Sequence, residues 1–233
     1  MKNVAQTVIE LRSVMIAMSD KNDAYRYKRV DFMKKNYLPE GYKPTVKEAL
    51  EYNKKAFSAN PNVGNAKEET IVKLCRKSIH QNETLEDVLS KCVVINTLAN
   101  TNIIEVFHVA KHIFELHIDS RLQAGDYSLV KDIAEVEIKD KPHRFYSFAS
   151  KYCSYHYPEK FSIYDRYVDL MLFEFQKRDH FGNFNRQDLK NYACYMKALH
   201  DFKSYYKLED LTMRELDKYL WLLGKECVQN QSK

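Results

Sequence analysis

Residues 148–172 read FASKYCSYHYPEKFSIYDRYVDLML and predict two helices joined by a short connection. Pro158 disfavours the helical conformation at the residue before it, so the first helix is expected to end there. The second is expected to begin near Asp165, because Val168 and Leu172 start an apolar stripe. At a helix N-terminus, free N–H groups and the helix dipole keep a carboxylate ionised and oriented. Such an acid caps the helix, or it stabilises a developing cation or activates a nucleophile.

Helix signals recur along the whole chain. The 233 residues include only 5 Gly and 5 Pro, which favours helices over turn-rich β structure. The only short strand candidate is AEVEIKD, at residues 134–140. Helix-capping residues stand three positions before an acid at Thr45, Thr84, Asn102, Asn185 and Thr212. The sequence therefore predicts an all-α protein, a compact multi-helix array, with helices at 3–18, 22–36, 45–58, 67–79, 85–95, 103–118, 127–136, 143–156, 165–178, 186–206 and 213–227.

Two breaks interrupt this series of helices. The first is LPEGYKP, at residues 38–44, and the second is SANPNVGNAKEE, at residues 58–69. The second is interpreted as a linker or long loop. The sequence therefore predicts an N-terminal helical segment, residues 1–65, and a helical core, residues 66–233. The two parts are compatible with packing as one body.

The composition excludes several classes of protein. The net charge of +5 and the isoelectric point near 8.7 permit nucleic-acid binding without requiring it. The 5 cysteines are scattered and form no CxxC pair, which argues against a disulfide framework or a zinc ribbon and fits a reducing cytosol. No run of about 18 apolar residues occurs, so we expect a cytoplasmic protein without membrane contact. Gly-rich phosphate loops and dinucleotide fingerprints are absent too, and no cofactor is expected.

Residues 148–172 resemble the segment around the catalytic Asp of helix-hairpin-helix DNA glycosylases, most closely in the archaeal 8-oxoguanine DNA glycosylase branch. In that branch an Ala-Ser pair precedes a helix, and a run like Ile-x-Asp-Arg-His-Ile follows. Tyr167 stands where the family usually has His. The resemblance extends weakly over residues 93–223 and leaves residues 1–66 outside. The matching residues are Ala149, Ser150, Ile163, Asp165, Arg166 and Val168.

The resemblance implies a helix-hairpin-helix glycosylase fold with extra N-terminal helices, and this chain departs from the family pattern in two places. The family hairpin grips a DNA phosphate with a Gly-x-Gly turn, whereas residues 138–147, IKDKPHRFYS, contain no glycine. Phosphate binding would then fall to side chains. Bifunctional members of the family carry a Lys nucleophile where this chain has Ser147, and Lys151 follows one helical turn later.

The implied function is that of a DNA-binding protein that flips a damaged or modified base out of duplex DNA and excises it. Asp165 would stabilise the sugar oxocarbenium or activate water, and Lys151 would attack the sugar only if a lyase step exists. The expected DNA-binding residues are Lys139, Lys141, His143, Arg144 and Arg166. Because amides bind base edges and aromatic rings stack on bases, the expected base pocket contains Asn96, Asn102, Tyr146, Tyr155 and Tyr164.

Other interpretations of the same residues stay open. The protein would alternatively be a non-catalytic all-α interaction or DNA-binding protein in which Asp165 is only a helix cap, with a protein partner bound through the N-terminal helices. A metal-binding helix is a weaker alternative, because such a site needs a second matching helix and the sequence offers none. No metal site is predicted, although His and Glu side chains share one side of a helix at Glu105, His108, His112 and Glu115.

Overall fold

The computed structural model describes residues 36–58 and 61–231. The predicted helices 3–18 and 22–36 fall outside these residues, apart from Asn36, and so does the partner contact expected of them. By its internal contacts, Tyr37–Lys233 forms one compact unit. The domain boundary at residue 65 stays a prediction, and the helix before that residue packs against the last helix of the chain.

Ten α-helices and one two-stranded sheet make up the described part of the chain, which confirms the predicted all-α class. A π-helical turn (Leu74–Ser78) extends α2, and a 3₁₀ turn (Asp188–Lys190) precedes α9. The strands are β1 (Glu135–Ile138) and β2 (Lys141–Arg144). The helices are α1 (Val46–Ser58), α2 (Pro61–Lys73), α3 (Leu85–Leu98), α4 (Val106–Glu115), α5 (Asp119–Ala124), α6 (Ser128–Ala134), α7 (Tyr146–His156), α8 (Arg166–Asp179), α9 (Tyr192–Tyr205) and α10 (Met213–Asn230).

The two strands form a tight hairpin where the sequence has its only strand candidate. They pair antiparallel with Ile138 opposite Lys141, so two residues make the turn. Both of these, Lys139 and Asp140, have positive φ angles, 53° and 59°. Left-handed backbone at both turn positions matches the twist of the flanking strands, and Asp tolerates that backbone. The chain therefore builds a hairpin here without glycine.

Three expectations from the sequence are wrong in detail. Residues 61–69 are helical rather than a linker, because α2 begins at Pro61 and proline is well tolerated at the first helical position. Asn102 caps no helix, since α4 begins only at Val106 and Asn102 has a left-handed φ of 56°, whereas a capping residue has extended backbone. The short helix α5, which ends at a left-handed Gly125, lies between the predicted helices 103–118 and 127–136 and was not predicted.

Helices α8 and α10 pack side by side, and α10 also packs against α1. Gly224 of α10 permits this close approach. A Cβ atom at Gly224 would lie 2.8 Å from the backbone oxygen of Tyr167 and 2.9 Å from its Cβ. Because Tyr167 lies in the first turn of α8, this contact fixes α10 beside the N-terminus of that helix. The buried side chains around the contact include Val168, Met171, Leu172, Leu220 and Leu223.

Substituting Gly224→Ala is expected to destabilise the protein by about 1–3 kcal/mol, because the added methyl group meets backbone rather than a movable side chain. In an open helical position the same change would stabilise by up to about 1 kcal/mol. Chemical denaturation measures the difference. Gln229→Ala, an exposed position on the same helix, is the control and should change stability by less than about 0.5 kcal/mol. A stabilised Gly224→Ala protein would contradict the close helix contact.

Candidate active site

Asp165 lies at the N-terminus of α8, as the sequence predicts. Its backbone is extended, with φ −134° and ψ 150°, and its side chain accepts a hydrogen bond from the Tyr167 N–H at 2.8 Å. The carboxylate therefore satisfies one of the N–H groups that a helix leaves unpaired, and it meets the positive end of the helix dipole.

A buried hydrogen bond ties α7 to the residue before Asp165. The Ser150 hydroxyl, which has no exposed surface, accepts from the Tyr164 N–H at 2.9 Å. Ala149 beside it is equally buried. These two small side chains allow the connection to lie directly on α7, which explains why an Ala-Ser pair suits this place. The neighbour of Ser150 along the helix is Lys151, so this bond sets the position of Lys151 relative to Asp165.

Lys151 is half-buried, and its ammonium donates to the Ser147 hydroxyl at 2.7 Å. Ser147 stands where the glycosylase resemblance expects a lysine, so the Lys151 amine reaches back to that position from one turn further along α7. Burial lowers the pKa of Lys151, while the nearby carboxylates of Asp165 and Asp217 oppose that shift. A lysine with a lowered pKa is a better nucleophile at neutral pH than an exposed one.

The last helix, α10, brings two further charged groups to this cluster. Arg214 donates from Nη1 to Asp217 Oδ2 and from Nη2 to Glu68 Oε1, both at 2.9 Å. Glu68 also pairs with Lys218 at 2.8 Å. Asp217 is only 4% exposed, and its Oδ1 atom has no hydrogen-bond partner among the described residues. Burial raises the pKa of Asp217 to about 7, although the Arg214 charge opposes the shift.

The sequence interpretation missed Arg214 and Asp217. Their signal was present but indirect, since Asp217 falls between Leu216 and Tyr219 on the apolar side of α10, and all three side chains are buried. A buried acid is rare unless it is paired or functional. The charged cluster is thus defined by Lys151, Asp165, Arg214 and Asp217, which come from three separate parts of the chain.

The three tyrosines predicted for a base pocket lie in different surroundings. Tyr146 and Tyr164 are buried against each other, with ring centroids 4.4 Å apart, and the Tyr164 hydroxyl donates to Asp169. Tyr146 donates to the Leu189 carbonyl oxygen. Tyr155 is also buried, and the Arg214 guanidinium lies 5.7 Å from its ring centroid. Tyr155 is therefore the one of the three that contacts the charged cluster through Arg214.

Of the two asparagines predicted for the base pocket, Asn96 lies in the last turn of α3 and Asn102 lies in the loop between α3 and α4. Asn96 holds this loop in place. Its amide donates to the Ile103 carbonyl at 2.9 Å and accepts from the Ile103 N–H at 2.8 Å and from the Thr101 hydroxyl at 2.7 Å. Asn102 is exposed, and Ile104 is 91% exposed. The loop is thus rigidly anchored yet presents a polar and an apolar side chain to solvent.

Most of the predicted DNA-binding residues lie on the hairpin. All four residues of β2 are exposed. The Lys141 side chain makes no hydrogen bond or ion pair to another described residue, whereas Lys139 pairs with Glu105 at 2.6 Å. Arg144 donates to the Lys190 carbonyl at 2.7 Å, and His143 stacks on Phe145. Arg166 is separate from the hairpin, at the start of α8, where it contacts the Tyr167 hydroxyl at 2.7 Å.

A shallow groove of about 400 Å³ runs along the hairpin and involves neither Lys151 nor Asp165. Its lining residues are Glu135, Val136, Glu137, Pro142, His143 and Arg144. Two glutamates in the lining offset the basic side chains, so the groove is a poor match for a phosphate chain.

The two histidines of α4 contact neighbouring polar groups. His112 Nε2 hydrogen-bonds the Asp132 carbonyl oxygen at 2.7 Å, and His108 lies 3.3 Å from the Glu105 carboxylate. Across residues 36–58 and 61–231, His, Cys, Asp and Glu side chains form no group of three or more suited to a metal ion. Within the same residues, every helix is too short or too polar to cross a membrane.

Comparison with known proteins places the chain in a family without assigning its chemistry. The family model HI_0787_N, described as an N-terminal domain, matches residues 46–160, a span that includes Lys151 and ends before Asp165. A Haemophilus influenzae relative that carries the name "Uncharacterized protein" is 46% identical over 143 residues, which cover 61% of this chain and 68% of the relative. No solved structure matches. This chain therefore belongs to one family with the Haemophilus influenzae protein, and its residues 46–160 match the HI_0787_N domain.

Proposed function

We propose that the protein is a DNA glycosylase-type enzyme, which binds duplex DNA, flips out a damaged or modified base and cleaves its glycosidic bond. The observation that carries this proposal is the fixed relation between Lys151 and Asp165. The Ser150–Tyr164 hydrogen bond locks the two elements together, and the Asp165 carboxylate acts on the charge of the Lys151 amine. A partly buried amine beside an oriented carboxylate suits attack on a sugar carbon that gains positive charge.

Each side chain has a distinct part in the proposed reaction. The base leaves C1′ of the flipped nucleotide with the electron pair of the glycosidic bond, and the negative charge of Asp165 stabilises the cationic sugar. The Lys151 amine donates its lone pair to C1′. One amine proton then passes to the departed base, and the C1′–O4′ bond breaks as the second amine proton binds O4′, which leaves an imine between Lys151 and C1′. Without attack by Lys151, a water directed by Asp165 completes simple hydrolysis.

The anchored loop and the hairpin supply a surface for the duplex. The Lys139–Glu105 ion pair links the hairpin turn to the start of α4, so the loop carrying Asn102 and Ile104 lies beside the hairpin. Apolar side chains that protrude at a DNA-binding surface separate stacked bases, and exposed cations next to them bind phosphate. The excess of positive charge over the whole chain, +5, favours the same partner.

Two assays on the wild-type protein test the proposal. The protein is incubated with duplexes that each carry one modified base or an abasic site, and base release is measured. Sodium borohydride is added in parallel, because it reduces an imine to a stable protein–DNA bond. Release of a base, or a borohydride-trapped complex, is expected on at least one duplex. Failure of both on every duplex would contradict the proposal.

A second candidate function rests on the bond between Asp165 and the Tyr167 N–H. That bond alone accounts for the acid as a helix cap, in which case the protein is a non-catalytic all-α interaction or DNA-binding protein. Salt dependence separates the two kinds of partner. Binding to duplex DNA weakens steeply as salt is raised, whereas binding to a protein does not release a condensed ion atmosphere.

Substituting Lys141→Ala is expected to weaken duplex binding equally for all sequences and to reduce the salt slope by about 1, the value for one lost phosphate contact. Lys141 is chosen because its exposed side chain has no partner among the described residues, so its loss should not disturb the fold. Fluorescence anisotropy at several salt concentrations gives the slope. Lys54→Ala, an exposed lysine of α1, is the control. Equal slopes for Lys141→Ala and wild type would remove β2 from the DNA surface.

A further inference from the structure

Two cations lie side by side where the hairpin meets the 3₁₀ turn before α9. The Arg144 guanidinium lies 5.0 Å from the ring centroid of Tyr146. The Lys190 ammonium lies 4.7 Å from the ring centroid of Tyr164. Both rings are buried, and their centroids are 4.4 Å apart, so each ring of one aromatic pair carries a positive charge. Because the face of an aromatic ring attracts a cation, these contacts hold both charges in place.

Hydrogen bonds fix the same arrangement. Arg144 Nη2 donates to the Lys190 carbonyl oxygen at 2.7 Å, which ties the end of β2 to the 3₁₀ turn. The Lys190 ammonium also donates to the Tyr164 hydroxyl. Both cations nevertheless reach solvent, since Arg144 is exposed and the Lys190 side chain is 39% exposed. Arg144 and Lys190 thus form a cation pair that is held in place and faces solvent.

The buried acid beside Lys190 is shared with another cation. Asp169 is 2% exposed, and its Oδ1 atom lies 3.4 Å from the Lys190 ammonium. Its Oδ2 atom lies 2.9 Å from both Nε and Nη2 of Arg186. Asp169 therefore supplies one negative charge to two cations, and Arg144 adds a third cation. Three cations and one acid leave this surface with an excess of positive charge.

Two other acids at this surface have partners of their own. Glu135 lies opposite Arg144 in the sheet, but its carboxylate is 3.9 Å from the Lys131 ammonium. The Asp188 carboxylate accepts from the Asn185 N–H at 2.8 Å. Like charges held close together destabilise a fold, and an anion bound between them offsets that repulsion. The cation pair is therefore suited to an anion that can accept hydrogen bonds from two sides.

We propose that the cation pair binds a phosphodiester group of duplex DNA, with Arg144 and Lys190 both donating to the phosphate oxygens. A planar guanidinium matches the oxygens of a phosphate, and an ammonium adds a compact positive charge. Because β2 ends at Arg144, the cation pair continues the exposed surface of the hairpin onto the 3₁₀ turn. Lys190 lies outside the set of DNA-binding residues that the sequence predicts.

The cation pair is close in the chain to the candidate catalytic acid. Tyr164 directly precedes Asp165. Asp169 follows Asp165 by one turn, and its N–H donates to the Asp165 carbonyl oxygen at 2.9 Å. A DNA backbone held by the cation pair is therefore placed to extend towards a nucleotide at Asp165. The choice of duplex DNA rests on the proposed function, whereas phosphate binding itself does not depend on base excision.

The first test removes the two charges singly and together. Lys190→Gln and Arg144→Gln should each reduce the slope of log affinity against log salt concentration by about 1, and the double variant by about 2. Fluorescence anisotropy with an undamaged duplex gives the slopes, and circular dichroism checks folding. Lys54→Gln, at an exposed lysine of α1, should keep the wild-type slope. A wild-type slope in the folded double variant would overturn the proposal.

The second test uses the wild-type protein, so it does not depend on how the variants fold. Acetic anhydride labels lysine amines, and mass spectrometry compares the labelling of Lys190 with and without saturating duplex. The duplex is expected to lower Lys190 labelling at least about threefold, because a bound phosphate covers the amine, and to leave Lys54 labelling unchanged. Unprotected Lys190 would overturn the proposal. Equal protection by inorganic phosphate at the same phosphate concentration would make this a site for free phosphate and would overturn the assignment to DNA.

These readouts separate failure of this inference from failure of the proposed function. Protection of Lys190 by duplex without base release from any duplex would reject the glycosylase and keep the phosphate site. Base release with unprotected Lys190 and unchanged salt slopes would support the enzyme and reject the phosphate site.

Discussion

Replacing Lys151 with Gln is expected to abolish the borohydride-trapped complex with DNA and to reduce strand cleavage after base release by at least about 100-fold. The imine requires the Lys151 amine, and Gln has no basic nitrogen that can form it. The change should leave the fold intact, because Gln retains a polar end that can still bond the Ser147 hydroxyl. Gel electrophoresis after borohydride treatment measures the complex, and anisotropy measures binding to the same duplex.

Lys197→Gln is the matched control for this experiment. Lys197 is a surface lysine of α9 that pairs with Asp201 one turn later, and its side chain is 71% exposed. An exposed pair of this kind contributes little to stability, so the control should retain full trapping. If Lys151→Gln forms as much trapped complex as the control, another amine is the nucleophile. If it releases base at the wild-type rate but forms no complex, Lys151 serves only the lyase step.

The helical framework is largely readable from the sequence because helix ends depend on local contacts. Thr84 accepts from the Asp87 N–H, and Thr212 forms a complete capping box with Glu215, as their spacing predicts. Asn102 has the same spacing to an acid but lies in a loop held by Asn96. The hydrogen bonds between the Asn96 side chain and the Ile103 backbone hold this loop in a conformation in which Asn102 caps no helix. Local patterns therefore predict a helix end only where no side chain from outside the pattern hydrogen-bonds to the same backbone groups.

Part of the candidate site can be predicted from the sequence for a related reason. Lys151 and Asp165 are close in the chain, and a helix, a proline-limited connection and a second helix bring them together almost by local geometry alone. Arg214 and Asp217 join them only through the packing of α10 on α8, which depends on the absence of a side chain at Gly224. One sequence cannot show that contact. The roles of Gly224 and Asp217 become apparent only from the packing of α10 against α8.

Ser147 stands where the glycosylase pattern has a lysine, and its hydrogen bond with Lys151 bears on this difference. The resemblance expects a lysine at this place in the chain, and the structure puts a lysine amine there from the next turn of α7, 2.7 Å from the Ser147 hydroxyl. A serine is short enough to leave room for the Lys151 side chain and polar enough to orient its amine. The absence of a lysine at position 147 therefore does not imply that an amine is absent from this place in the folded protein.

Substituting Asp165→Asn is expected to reduce base release by roughly 100- to 1,000-fold while the protein stays folded. The amide oxygen of Asn still accepts from the Tyr167 N–H, so the helix keeps its cap, and only the favourable interaction of the charge with the helix dipole is lost, about 0.3–1 kcal/mol. The cationic sugar, in contrast, loses the negative charge that stabilises it. Rates of base release from the substrate duplex, measured at saturating protein, test the expectation.

Asp165→Ala provides the comparison that separates the cap from the charge. It removes both, so it should lose about 1 kcal/mol of stability beyond that of Asp165→Asn while its rate of base release falls by a similar factor. Parallel losses of rate with unequal losses of stability would assign the negative charge to the chemistry. If Asp165→Asn instead releases base as fast as wild type, Asp165 is a helix cap and no more. The carboxylate at the start of α8 would then explain the fold of residues 148–172, and the reaction would need another acid.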